Sequence, residues 1–285
     1  AEERAQRFGS TADLDRYRCT IEEREEFEPH IVAGTPVYAG VDYHDILRQA
    51  EQEGDIILWD GGNNDTPFYR PDLAVVVLDP HRAGHELGYY PGEVNFRSAD
   101  VLIINKIDTA DPDGIKTVRR NIALHNPQAR VIETACRVTV EDPDAINGKT
   151  ALVVEDGPTL THGEMSYGAG IVAANRYHAS ALVDPRPYAI GSIQKTFEQF
   201  PHLWRVLPAM GYSDTQRHEL EETIRRVPCD VVVVATPIDL SHAIRLDKPS
   251  VRVSYEVEEI GKTVIADIIA KFTQAHKPAL AGAGR

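Results

Sequence analysis

The chain has 285 residues, with 30 Lys+Arg against 44 Asp+Glu, a formal net charge of -14 and 42% hydrophobic residues. That length suits two α/β domains better than one minimal core, and the apolar content excludes intrinsic disorder. The acidic balance, without any Lys/Arg-rich block, excludes a general nucleic-acid binder, and the longest apolar runs, such as Val231–Ala235, are too short to cross a bilayer.

In chain order, Thr20 to Glu23 reads as a capping box that opens a charged helix. Val37–Ala39 is a short strand, and Tyr43–Gln52 carries Ile46, Leu47 and Ala50 at helical spacing before Gly54 ends it. Three continuous apolar runs follow, Ile56–Trp59, Leu73–Leu78 and Val101–Ile104, of the kind found in parallel strands covered on both faces. Asp111-Pro112 starts a helix with Ile115, Val118 and Ile122 on its inner stripe, and Asn126-Pro127 stops it. Arg130–Ile132 is the strand that closes this half, and Gly148 marks a boundary. Beyond it the strand-loop-helix rhythm restarts, with strands at Ala151–Val154, Ala181–Val183, Val231–Ala235 and Val251–Tyr255. A second capping box, Ser213 to Gln216, opens a helix running through Arg226, and Thr263–Phe272 is a closing helix. The expected fold is therefore α/β, with mostly parallel sheets flanked by helices in two Rossmann-like or P-loop-NTPase-like domains. The expected division is 1–148, 149–278 and a flexible tail at 279–285. Cys19, Cys136 and Cys229 are isolated and never form a CxxC pair, and residues 1–7 hold no apolar signal stretch. Both point to the cytoplasm.

The sharpest chemical motif is Asn105-Lys106-Ile107-Asp108, directly after a buried-type strand. The Asp108 carboxylate suits the N1 and N2 donors of guanine, while Asn105 and Lys106 brace the loop and cover the base; a polar loop with a helix cap is the bland reading. Asp60-Gly61-Gly62-Asn63-Asn64-Asp65 offers a carboxylate for Mg²⁺ and glycines that let backbone approach a phosphate, or else is an ordinary turn. Asp79, before Pro80-His81-Arg82, is a second strand-end carboxylate, in line with ligand binding beyond the carboxyl ends of parallel strands. In the second half, Glu155 and Asp156 precede Thr159, Thr161, His162, Gly163, Tyr167, Gly168 and Gly170. Glycine amides at a helix start make an anion site, His162 can donate to a phosphate or move a proton, and Arg186 can grip a phosphate in bidentate fashion. Their bland roles are capping hydroxyls, an exposed imidazole and a surface ion pair. His81 and His85 are four apart, but Pro80 and Gly84 argue against the helix that would pair them on a metal.

The strings W-D-G-G-N-N-D (Trp59 to Asp65), D-L-A-V-V-V-L-D (Asp72 to Asp79) and A-D-V-L-I-I-N-K-I-D (Ala99 to Asp108) resemble the second half of the P-loop GTPases that include urease and hydrogenase accessory proteins. With C-T-I-E-E-R-E-E at Cys19 to Glu26, V-E-D-G-P-T-L-T-H-G at Val154 to Gly163 and D-P-R-P-Y-A-I-G-S-I at Asp184 to Ile193, the chain more closely resembles the cyclic 2,3-diphosphoglycerate synthetase family from about Arg7 to Lys262. The resemblance implies ATP-dependent closure of 2,3-diphosphoglycerate into its cyclic anhydride, with Mg²⁺ held near Asp60 and Asp79. Family members also carry an amino-terminal domain with a G-x-x-x-x-G-K-[ST] phosphate loop. No such string occurs here, and Gly191 to Thr196 lacks its second glycine and its spacing. The chain is therefore expected to be a carboxy-terminal portion that acts with a P-loop region in cis or in trans. Expected partners are ATP or GTP and a small phosphorylated metabolite, with no nucleic acid and no membrane, and with a homo-oligomer left open. Alternatives are a metal-insertion GTP hydrolase, weakened by the lack of Cys-Pro-Cys or clustered His, and a non-catalytic nucleotide-binding regulatory module.

Overall fold

A computed structural model describes residues 4–62, 65–161, 168–210, 213–237, 240, 244–261 and 264–276. The strands and helices are, in chain order, β1 (Gln6–Phe8), α1 (Thr11–Arg16), α2 (Ile21–Val32), β2 (Val37–Ala39), α3 (Tyr43–Ala50), β3 (Val75–Leu78), α4 (His85–Gly88), α5 (Gly92–Ser98), β4 (Val101–Ile104), α6 (Pro112–His125) and β5 (Arg130–Val140). They continue with β6 (Thr150–Asp156), α7 (Gly157–Thr161), α8 (Ala169–Arg176), β7 (Ala181–Leu182), α9 (Gly191–Gln199), β8 (Val206–Ala209), α10 (Asp214–Arg226), β9 (Val231–Ala235), β10 (Ser250–Ile260) and α11 (Ile265–Ala275). The fold is α/β, with mostly parallel strands and flanking helices.

The chain divides into one unit of residues 1–55 and 138–255 and another of 56–137 and 256–285. It thus crosses between units three times, where the sequence places a single boundary at Gly148. In the first unit, β6 is central: β9 lies parallel on one edge, with β10 parallel beyond it, while β7 and β8 share the other edge. Residues Ala151 to Glu155 and all of β9 are buried, which is why these runs read as continuously apolar. Leu152, Val154, Val233, Leu207 and Leu220 lie in one core. The Asp230 carboxylate accepts the Thr150 amide at 2.8 Å and its hydroxyl at 2.6 Å, fixing the starts of β6 and β9. An antiparallel pair, β1 with β2, also belongs to this unit.

In the second unit, β3, β4 and β5 run parallel in that order. One sheet face packs Leu78, Leu102 and Ile104 against Phe96 of α5 and Val118 and Ile122 of α6. The other packs Val101, Ile103 and Ile132 against Ile268 of α11. Asp111 caps α6 through the Asp113 amide, and Asn126 ends it by donating to the carbonyls of Phe96 and Ala99.

Several elements differ from expectation. Ile56–Trp59 forms no strand: Ile56, Ile57 and Leu58 are 49%, 39% and 84% exposed, with no ladder to satisfy an extended backbone. β5 and β10 each extend to eleven residues, well past the apolar stretches that announced them. β8 was not anticipated, because Val206 to Ala209 contains Pro208 and is only four residues long.

Candidate functional site

In the second unit, parallel register aligns Leu78, Ile104 and Glu133, so Asp79, Asn105 and Thr134 follow in neighbouring strands. The Asn105 side-chain oxygen accepts the Lys106 amide at 2.8 Å and the Thr134 hydroxyl at 2.9 Å, and the Ile107 amide donates to the Thr134 carbonyl at 3.1 Å. This clamp holds Lys106 at φ 57°, a left-handed conformation uncommon outside glycine, and aims its ammonium at Asp79, 2.9 Å away. Burial pushes the Asp79 carboxyl up, but the Lys106 ammonium, the His81 amide and Arg82 outweigh it and hold the group below the usual carboxylate range. Asp108 is exposed, and one of its oxygens accepts the Cys136 amide at 3.2 Å. A carboxylate has about four lone-pair positions, so acceptors remain for a pair of base donors.

Asp79 is thus brought together with Asn105, Lys106 and Asp108, although Lys106 and the His81 amide already take its two oxygens. A direct Mg²⁺ bond from Asp79 would have to displace the Lys106 ammonium. Asp60 is an exposed carboxylate beside Gly61 and Gly62 and fits an outer-shell role; the Gly62 amide is bonded within its own turn to Asp65 at 2.9 Å. Among the described residues no group of three metal-ligating side chains occurs. His81 and His85 part ways: Gly84, at φ 101°, breaks the backbone between them, His81 meets Thr109, and His85 lies tilted against the Tyr89 ring. A groove of about 450 Å³ lined by Asp72, Asp100, Arg130 and Phe272 lies by the amino ends of these strands, away from the motif.

In the first unit, the helix start at α8 is already filled from inside. Glu155, 3% exposed at the end of β6, accepts the Ile171 amide at 2.9 Å and also receives the amides of Gly168 and Gly170. The amides that the sequence offers to a phosphate are therefore held by the protein's own carboxylate. Burial raises that carboxyl to about 7, the neighbouring Asp156 adding to the rise and the three amides opposing it. Gly168 and Gly170 are small because Glu155 occupies the space a Cβ would need.

Arg186 is also engaged: its Nε and Nη2 donate to the Asp184 carboxylate at 3.0 and 2.6 Å, which lowers the Asp184 pKa. The bidentate geometry expected for a phosphate is spent on a neighbour two residues away. Leu182 at the end of β7 is level with Ala151, five residues short of Asp156, because β8 takes over that edge of β6. β7 therefore ends roughly 16 Å below the carboxyl end of β6 at about 3.3 Å per residue, and the chain runs from there into the 184–193 loop. Thr161 is buried and its hydroxyl donates to the Gly157 carbonyl, a local role, while Asp156 is half-buried. His162, Gly163 and Tyr167 lie outside the described residues, as does the side chain of Thr159. Sequence reasoning missed Glu219, which accepts the Ser192 amide and hydroxyl at 2.8 and 2.5 Å at the start of α9. Its only sequence signal was a carboxylate on a distant helix.

The fold and the strand-end loops together define an α/β protein of mostly parallel strands whose neighbouring strand ends carry the polar cluster of Asp79, Asn105 and Lys106. The ATP complex of LpxK from Aquifex aeolicus superposes with a TM-score of 0.50 over 96% of this chain and 75% of that one, and at 10% identity the likeness is one of fold. By sequence, the chain is 60% identical over 269 residues to arginine synthetase ArcE of Thermococcus kodakarensis, a match covering 94% of this chain. The chain spans 60% of that protein's length. No family model matches.

Proposed function

We propose that the chain is the base-reading and second-substrate portion of a nucleotide-dependent synthetase, and that the reaction it serves makes arginine. The 60% identity to a protein named for that activity carries the reading. Local chemistry supports it over closure of 2,3-diphosphoglycerate: Glu155 fills the helix amides, Arg186 is neutralised by Asp184, and the chain carries a net charge of -14. Such surroundings suit a guanidinium better than a polyanion.

In this reading Asn105 and Lys106 shape the base loop and Asp108 selects the base of GTP, or stands aside for ATP. Asp60 would hold a nucleotide-bound Mg²⁺ through water, and the ion would neutralise phosphate charge. A nucleotide-driven route to a guanidinium carbon transfers the terminal phosphoryl group to an oxygen on that carbon. An amine then forms the new C–N bond, phosphate leaves with the oxygen, and the amine proton passes to His162. Positioning and charge neutralisation supply most of the acceleration. Asp156 is the carboxylate offered to the substrate.

Calorimetric titration of arginine and, separately, of 2,3-diphosphoglycerate into the 285-residue chain tests the choice. Arginine is expected to bind, at least tenfold more weakly to Asp156→Asn. Binding of the diphosphoglycerate without binding of arginine would reverse the assignment in favour of the cyclic anhydride.

A further inference from the structure

We infer that the groove at the amino ends of β3, β4 and β5 is a binding site for a free α-amino acid with an apolar side chain, held by both of its charged ends. Such a ligand is no part of the arginine reaction, whose proposed substrate lies beside Asp156 in the other unit. In the parallel register Val75, Val101 and Arg130 stand level, so the three strands begin together. α11 covers one face of this sheet, with Ile268 packed on Val101, Ile103 and Ile132. Lys271 and Phe272, three and four residues further on, share that helix face and form the facing wall of a groove of about 450 Å³.

Four charged groups line it: Asp72, Asp100, Arg130 and Lys271. Among the described residues, the side chains of Asp72, Arg130 and Lys271 make no hydrogen bond or ion pair, and Asp100 uses one carboxylate oxygen on the Ala74 amide. By contrast Arg97, Arg119 and Arg137 of the same unit are each paired with a glutamate. In the groove, opposite charges share one space without closing on each other. The Arg130 amide donates to the Asp100 carbonyl at 2.9 Å, which fixes these two residues side by side on strands about 4.8 Å apart. That spacing suits the two ends of one small zwitterion.

Two carboxylates and two cations balance, and the balance selects the ligand. A dianion would meet Asp72 and Asp100, and a diamine would meet Arg130 and Lys271, whereas a zwitterion finds a partner for each end. The Arg130 fork takes the ligand's carboxylate, with Lys271 as a second donor, and the ammonium goes to Asp72 and the remaining oxygen of Asp100. Between the charges, Leu73, Ile268 and Phe272 offer an apolar surface to an aliphatic or aromatic side chain and no partner to a charged one. β4 is four residues long, so the groove lies roughly 13 Å from Asn105 and Lys106 at about 3.3 Å per residue. The ligand therefore touches no base-loop group and acts as an effector, tying α11 to the starts of the strands.

Calorimetric titration of leucine, valine and phenylalanine at millimolar concentrations into the 285-residue chain tests this. At least one is expected to bind, with its N-acetyl derivative and its amide, each lacking one charge, binding at least tenfold more weakly. The same tenfold loss is expected for Asp72→Asn and for Arg130→Gln combined with Lys271→Gln, while Asp156→Asn should bind it as the parent does. In hydrogen exchange the bound amino acid should slow the amides of α11 and leave those of β6 unchanged. Absence of binding by all three amino acids overturns the inference, as does equal affinity for the two derivatives or in the groove variants. Loss of binding in Asp156→Asn alone would move the amino acid to the first unit and overturn it as well. Arginine binding is scored separately: its failure removes the arginine reading and leaves the groove, whereas failure of the three apolar amino acids removes the groove and leaves the arginine reading.

Discussion

Glu155 makes folding stability depend on pH in a direction opposite to that of most carboxylates. An unfolded glutamate titrates near 4.5, whereas the buried one titrates at about 7. Between those values the folded chain keeps a proton that the unfolded chain releases, so its contribution is complete below pH 4.5 and is lost as the pH rises to 7. The loss is on the order of 3 kcal/mol. Urea unfolding of the parent and of Glu155→Gln at pH 5 and pH 8 checks this: the parent should lose more stability than the variant, and equal losses would refute the account. At Asp108, substitution by Asn should weaken GTP and favour xanthosine nucleotides in any form of the protein that binds nucleotide, because the guanine donor pair loses its acceptor. Unchanged GTP affinity would return Asp108 to the bland role of bracing the Cys136 amide. The Asn105 to Asp108 loop was legible in sequence because its contacts are local or one strand away. The occupation of Gly168, Gly170 and Arg186 was not, since a free amide or guanidinium and an internally satisfied one look identical in a sequence.

At the scale of elements, an aspartate just before a strand reaches to the neighbouring strand in both units. Asp100 accepts the Ala74 amide at 2.8 Å, and Asp230 accepts the Thr150 amide and hydroxyl. Asp230→Ala should lower the melting temperature and loosen the first amides of β6 in hydrogen exchange, leaving those of β3 unchanged. At α8, a methyl on Gly170 would sit 2.6 Å from Val153 Cγ1 and 2.9 Å from a Glu155 oxygen. Overpacking of that kind costs about 1–3 kcal/mol, so Gly170→Ala should show the loss in chemical unfolding. The capped helices and buried strands were readable because each is specified by neighbours in sequence: Thr20 bonds Glu23, Ser213 bonds Gln216, and β4 and β9 are apolar throughout. Ile56–Trp59 misled because apolarity records what a segment is built to touch, while a strand exists only when another backbone lies beside it.

For the whole molecule, charge and the two cores set what can be measured. If the ligand is cationic, a net charge of -14 speeds its association through long-range attraction that salt screens. Arginine association should therefore slow as ionic strength rises from 0.01 to 0.5 M, whereas an anionic ligand would accelerate; stopped-flow binding distinguishes them. Leu152 and Ile104 are fully buried in separate cores, and each substitution by Ala should cost about 2–5 kcal/mol. The three crossings between units bear on synthesis. Residues 56–137 leave the ribosome well before α11, which packs Ile268 against Val101, Ile103 and Ile132. All of 138–255 is made in the interval, while residues 1–55 in turn await that middle stretch. The first unit is complete only once residue 255 has been made and the second only once α11 follows, so no single protease cut separates one intact from the other, and the Val101 face of the sheet stays open to chaperones while residues 138–255 are synthesised.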